Sequence, residues 1–356
     1  MNEAELRKLV KKWELFDSDD DGSAGRYVEI LDQLDWFSER EWANYLPAQH
    51  PQHAARYLDR LAEWVGNVKS DADRKLLLEY ALHISFYSHD DLCALYRSAF
   101  SGTITRWVIE HESLSLDDAN FQTRLGDELH HRTWYCPVTD SMDINEFYHA
   151  NHITGVSHRP GFAAVAELDK RARANADSPS EVVVGMKKFI DDPNPRKGAP
   201  PFKRLVLLED FVGSGTQSTH AVKWTAKHLD LPILFVPLVL CAPGATELTK
   251  VAAKLRPGIS IRPQLVLGER DLLGPRRNGA DGISNAEAIE KLARDSFEKV
   301  AGGPHTDVDV EPNTPFGFRE TGSSFVSYSN TPNNTLPMIH HSSRSWRPLF
   351  PRSARI

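Results

Sequence analysis

The chain has 356 residues, 40% of them hydrophobic and 26% charged, with a formal net charge of −7. That is the composition of a folded chain able to bury a core, which sets aside a disordered or low-complexity protein. The acidic balance does not announce a nucleic-acid binder, and no apolar run approaches the roughly 18–20 residues of a membrane helix.

The start, Met1-Asn2-Glu3-Ala4-Glu5-Leu6, lacks the apolar core of a secretory signal. Cys93, Cys136 and Cys241 stand far apart with no CxxC pair, which fits a reducing cytosol, so a cytoplasmic location is expected. Along the chain, Leu6, Leu9, Val10 and Trp13 share one helix face, and Tyr57, Leu58, Leu61, Trp64 and Val65 repeat that pattern. The spacing predicts a helix over 71–87, with Leu76, Leu77, Leu78, Tyr80, Ala81 and Ile84 as its stripe. Asp90-Asp91 offers a cap for a helix through Leu92, Leu95 and Tyr96. Few β-branched runs occur before residue 130, so residues 1–120 read as a helical N-terminal region.

The pattern changes near Thr133. Trp134 to Val138 reads as a strand, followed by the polar turn 139–143. Arg204 to Leu208 is nearly continuous in apolar residues, as a central parallel strand should be. A helix over 217–229 and an apolar run over 233–240 complete a βαβ unit. A helix over 246–255 and a strand over 264–267 are expected next. Ser284-Asn285-Ala286-Glu287 fits a capping box for a helix reaching Val300. Segments 191–201 and 268–281 read as exposed loops. The last 45 residues carry Pro, Asn, Ser and aromatics without regular periodicity.

The decisive stretch is Leu205-Val206-Leu207-Leu208-Glu209-Asp210-Phe211-Val212-Gly213-Ser214-Gly215-Thr216-Gln217. It begins as a buried strand and ends at a helix N-terminus. The amides of Ser214, Gly215, Thr216 and Gln217 can wrap a phosphate, and the helix dipole adds favourable potential. Gly213 and Gly215 permit a tight turn, and the hydroxyls of Ser214, Thr216 and Ser218 offer further donors. Glu209 and Asp210 end the strand at its carboxyl edge, where α/β sheets bind ligands, and can accept from sugar hydroxyls. There is no Gly-Lys-Ser/Thr of a Walker loop. The third glycine of a GxGxxG fingerprint is replaced by Ser218.

These residues resemble the signature of the type I phosphoribosyltransferases: an apolar run, two acids, two apolar residues, a variable residue, then Ser/Thr-Gly-Ser/Thr. The resemblance implies an α/β fold with a parallel-sheet phosphoribosyltransferase-like core over 121–356, including a C-terminal hood segment, behind the helical extension 1–120. It gives Glu209 and Asp210 the ribose of phosphoribosyl pyrophosphate, as catalytic residues, and Gly213, Ser214, Gly215, Thr216 and Gln217 its 5-phosphate. It suggests a pyrophosphate loop at Thr139, Asp140 and Ser141. Asp140 and Asp143 would repel a pyrophosphate unless magnesium bridged them, and a helix cap is the other reading of this turn. The ion would enter with the substrate and meet Asp140 or Asp210 rather than a protein-only cage. Arg159, Lys170, Arg171, Lys187 and Lys188 are available for a basic loop that closes over substrate, and a solvated surface explains them equally well.

Together with the carboxyl-terminal segment Asn330 to Pro337, Trp346 and Leu349 to Arg352, the motif looks like the PRTase-CE family, over residues 120–352. That likeness implies a transferase or toxic effector of a bacterial antiphage system such as a retron. A winged-helix protein and a reverse transcriptase–nucleic acid complex would then be its partners, with no membrane involved. The rival expectation is a catalytically inactive nucleotide sensor, or a partner-binding module, on the same fold.

Other signals carry bland readings. Asp17 to Ser23 imitates the opening of an EF-hand loop, but its twelfth position is Val28, so an acidic turn is expected. His130-His131 and His340-His341 are adjacent pairs that cannot both point easily at one ion from a helix. His149 and His152, at helical spacing, lack a Cys or acid partner at useful spacing, so core or surface roles are expected. Trp107, Trp134, Trp224 and Trp346 read as packing residues, and Cys136 as a buried thiol.

Overall fold

A computed structural model describes residues 1–17, 25–51, 53–153, 160–163, 180–192, 198–255, 259–277, 282–302 and 314–353. Among them the strands are β1 (Ser85–Tyr87), β2 (Thr133–Pro137), β3 (Arg204–Val212), β4 (Ile233–Cys241), β5 (Ile259–Ile261), β6 (Leu265–Leu267) and β7 (Phe325–Ser327). The chain forms two compact units, residues 1–91 with 268–356, and residues 92–267. The division expected between residues 120 and 121 is therefore drawn elsewhere. Helices between residues 92 and 267 belong with the sheet, and everything from residue 268 onward belongs with the first helices. No described helix is long and apolar enough to cross a membrane.

In the first unit, Leu6, Val10 and Trp13 of helix Glu3–Asp17 and Leu58, Leu61 and Val65 of helix Tyr57–Val65 are buried, as their spacing predicts. The helix expected over 71–87 ends at Ala81, and Ser85–Tyr87 instead pairs in parallel with Phe325–Ser327. The aperiodic tail is not a loose coil. Phe316, Leu336, Met338, Ile339, Trp346, Leu349 and Phe350 join the N-terminal helices in one core. Trp64 and Trp346 both donate their indole N–H to the Met338 carbonyl, at 2.7 and 2.9 Å. Segment 268–277 is likewise not an exposed loop, because Leu272 and Leu273 are fully buried. Helix Ala286–Ala301 starts without the expected capping box. Asn285 takes φ 57° and gives its side-chain amide to Glu79 at 2.8 Å.

In the second unit β2, β3 and β4 lie side by side, all parallel, and the far edge of β4 pairs with β5 and then β6. Trp134, Cys136, Leu205, Leu207, Ile233 and Phe235 form a core with Met186 and Ile190 of helix Ser180–Asp191, with Val222 and Trp224 of helix Thr216–His228, and with Leu248 of helix Ala242–Ala252. The alternate residues Tyr135, Val206, Leu208, Leu234 and Val236 are buried too, with Tyr135 against Phe147 at 5.5 Å between ring centres. Burial on both faces explains why β3 and β4 read as continuous apolar runs. The α/β class and its parallel-sheet core are as the sequence implied.

Helix His89–Ser98 is capped by Ser88 together with Asp91, one of the two acids expected there. Ser88 Oγ accepts from the Asp91 amide and Asp91 Oδ2 accepts from the Ser88 amide, a reciprocal cap. At the amino end of β3 the fully buried Arg204 guanidinium donates to the carboxylates of Glu112 and Glu128, to the Glu128 carbonyl and to Thr133 Oγ1. That cluster fixes the strand at the end opposite to its acids.

Candidate functional site

β3 runs from Arg204 to Val212 and leads through Gly213 and Ser214 into helix Thr216–His228. Gly215 is the residue before the helix and has φ 78°, the left-handed conformation that glycine adopts without penalty. A Cβ there would lie 3.2 Å from both Cα and O of Gly244. The loop therefore rests directly on the first turn of helix Ala242–Ala252, and Gly244 shares in its shape. Sequence reading passed Gly244 over; its signal was a Pro-Gly step directly after a buried strand.

Thr216 and Gln217 are exposed and Ser214 is half-buried, and Ser214 Oγ lies 3.1 Å from Thr216 Oγ1. A 13-residue helix presents its unpaired first amides at this point, which is an electrostatic seat for an anion. Ser218, expected as a further donor, is instead buried on the inner side of the helix.

Glu209 and Asp210 are nearly buried, at 3% and 8% exposure. The turn after β2 reaches them across some seventy positions of sequence. Thr139 donates its amide to Glu209 Oε2 at 3.0 Å and its hydroxyl to Oε1 at 2.7 Å. Ser141 donates its hydroxyl to Asp210 Oδ1 at 2.9 Å, and the Phe211 amide donates to the same oxygen at 2.9 Å. The structure thus brings together Thr139, Ser141, Glu209 and Asp210, which sequence reading had assigned to separate loops of one site.

Asp140 is exposed beside them. Asp143 serves as the cap of helix Ile144–Ala150, accepting from the Asn145 and Glu146 amides at 3.1 and 3.0 Å. Lys187 and Lys188 are exposed on helix Ser180–Asp191. Arg159, Lys170 and Arg171 lie outside the described residues, as does the acidic turn 18–24.

The remaining candidates take their bland readings. Trp107, Trp134, Trp224 and Trp346 are buried, and burial pushes the Cys136 thiol up. His340 is buried and held neutral, with its pKa pushed down to about 3 by burial and by the neighbouring Arg352 and His341 charges. His149 and His152 do not share a helix face, since the helix ends at Ala150 and His152 takes φ 53°.

The chain matches the family model described as PRTase-CE over residues 61–352. The match begins well inside the helical first third, earlier than residue 120. No curated protein and no solved structure gives a significant match.

Proposed function

The chain belongs to the PRTase-CE family and is phosphoribosyltransferase-like; from that premise we propose that its strand–loop–helix site binds phosphoribosyl pyrophosphate or a related ribose 5-phosphate compound. The observation that carries this reading is the pairing of two strand-end carboxylates with an exposed helix N-terminus one short loop away. The amides and hydroxyls of 213–217 would take the 5-phosphate, while the acids receive ribose hydroxyls.

The reaction we propose is pentosyl transfer. A nucleophile such as a base nitrogen bonds to the anomeric carbon as the C1–O bond to pyrophosphate breaks, and that electron pair leaves with pyrophosphate. Carboxylates near the ring would steady the positive charge that develops on the sugar. Magnesium carried on the pyrophosphate would offset the departing negative charge. Asp140 and Asp210 are the carboxylates nearest that role, fewer than the six or so oxygens magnesium takes, so the ligand would supply much of its shell.

By the same family likeness we assign the output to a bacterial antiphage system such as a retron, acting as a toxic effector in the cytoplasm. A winged-helix protein and a reverse transcriptase–nucleic acid complex would be its partners, and their co-purification with the chain tests that assignment. The second reading is a sensor that binds the same ligand without turning it over, favoured by the hydroxyls that already occupy both acids. Release of pyrophosphate from phosphoribosyl pyrophosphate and magnesium, in the presence of candidate bases, separates the two. Release that vanishes in Asp210→Asn is expected for the transferase; binding without release would leave the sensor.

A further inference from the structure

Three short oxygen–oxygen contacts link the two acids through the turn after β2. Thr139 Oγ1 lies 2.7 Å from Glu209 Oε1, Ser141 Oγ lies 2.9 Å from Asp210 Oδ1, and the two hydroxyls lie 2.6 Å from each other. Each hydroxyl carries one proton and two lone pairs, and an ionised carboxylate only accepts. With both acids ionised, two protons serve three contacts.

The Thr139 proton is the better committed of the two. Its amide and hydroxyl grip both oxygens of Glu209, a closed two-point clamp on a nearly buried carboxylate. The contested proton is that of Ser141, which faces two acceptors, Asp210 Oδ1 and Thr139 Oγ1. A hydroxyl arriving from outside resolves the shortage. It donates to Asp210 Oδ1, Ser141 turns its own proton to Thr139 Oγ1, and every contact then holds one.

We propose that Ser141 is a placeholder for a ligand hydroxyl at Asp210, and that Thr139 with Glu209 is a positioning clamp that keeps the turn in place during the exchange. The ribose role given to both acids above narrows accordingly: Asp210 receives the sugar hydroxyl and Glu209 holds the turn. This rests on the reading above, in which the loop 213–217 takes the sugar 5-phosphate.

The test is the affinity of the full chain for ribose 5-phosphate and for its 2-deoxy and 3-deoxy analogues, measured in the parent, in Ser141→Ala and in Thr139→Val. In the parent, at least one deoxy analogue should bind about tenfold or more weakly, the size of a lost hydrogen bond to a charged group. Ser141→Ala should bind ribose 5-phosphate a few-fold more tightly, because no resident hydroxyl has to be displaced. It should keep the discrimination between sugars. Thr139→Val should weaken all three ligands alike, by about tenfold, as the freed turn shifts. Ser141→Thr restores a hydroxyl and should return affinity to the parent value, which separates the placeholder from a defect in folding.

Equal or weaker binding by Ser141→Ala would overturn the proposal, since a placeholder costs affinity and a true ligand contact supplies it. Equal affinity of the parent for all three sugars would also overturn it while leaving the phosphate reading standing. No binding of any of them by the parent would remove that reading, and the placeholder with it.

Discussion

Arg204→Ala should lower folding stability by about 3–5 kcal/mol, read as a fall in the denaturant midpoint. The side chain is fully buried, and it satisfies two carboxylates, a carbonyl and a hydroxyl at the amino end of the central strand. Removing it leaves Glu112 and Glu128 with Lys203, which reaches them at 3.3 and 2.6 Å from a half-open position, and Glu128 with Arg132 at 3.8 Å. A desolvated charge without its partner is costly, whereas the intact cluster is worth far less than its Coulomb energy suggests.

The same cluster gives the loss a pH signature. Burial alone would raise the Glu112 carboxyl; the hydrogen bond and charge of Arg204 and those of Lys203 outweigh it and hold the group below its ordinary value. A depressed folded-state pKa means stabilisation that is fully present above the unfolded-state value and lost as pH falls through the folded one. The parent should therefore lose stability on the acid side through that window, and Arg204→Ala should lose less there.

Gly215→Val should weaken phosphate-ligand binding roughly hundredfold, about the worth of one or two charge-assisted hydrogen bonds. Two penalties act together. A φ of 78° is strained for a residue with a Cβ and worst for a β-branched one, on the order of 1–2 kcal/mol. The added Cβ would also press on the Gly244 backbone, 3.2 Å from its Cα and O, so the loop must lift from its support. Gly244→Ala checks the second penalty from the other side of the contact. Its Cβ would stand 2.7 Å from the Gly213 carbonyl oxygen without imposing a left-handed φ. Similar weakening in both variants is the expected result, and parent-like titration of Gly244→Ala would show that the support is not needed.

The parts of this fold that could be read from sequence are those where local pattern and tertiary demand agree. β3 and the helix after it were legible because a buried parallel strand, two acids and a glycine turn follow one another within thirteen residues. The link from Thr139 and Ser141 to the acids was not legible as a link. Each residue was a candidate, but the contact spans 69 or 70 positions and depends on the register Pro137 to Leu208. Ser85–Tyr87 passed as the end of a helix because the strand that claims it lies at Phe325–Ser327. The tail misled for a related reason: Phe316, Trp346 and Phe350 are placed by the helices they pack against, and no period in their own segment announces that. The box at Ser284 to Glu287 shows the reverse failure: the helix starts one residue later, after Asn285 at φ 57°, whose side chain is turned to Glu79.

The central claim is that the site at the end of β3 takes a ribose 5-phosphate ligand, and calorimetric titration of the full chain with phosphoribosyl pyrophosphate and magnesium tests it most directly, beside an Asp210→Asn, Thr216→Ala double variant. Saturable binding by the parent that disappears in the variant is the predicted result; no binding by a folded parent, or equal binding by both, would contradict it.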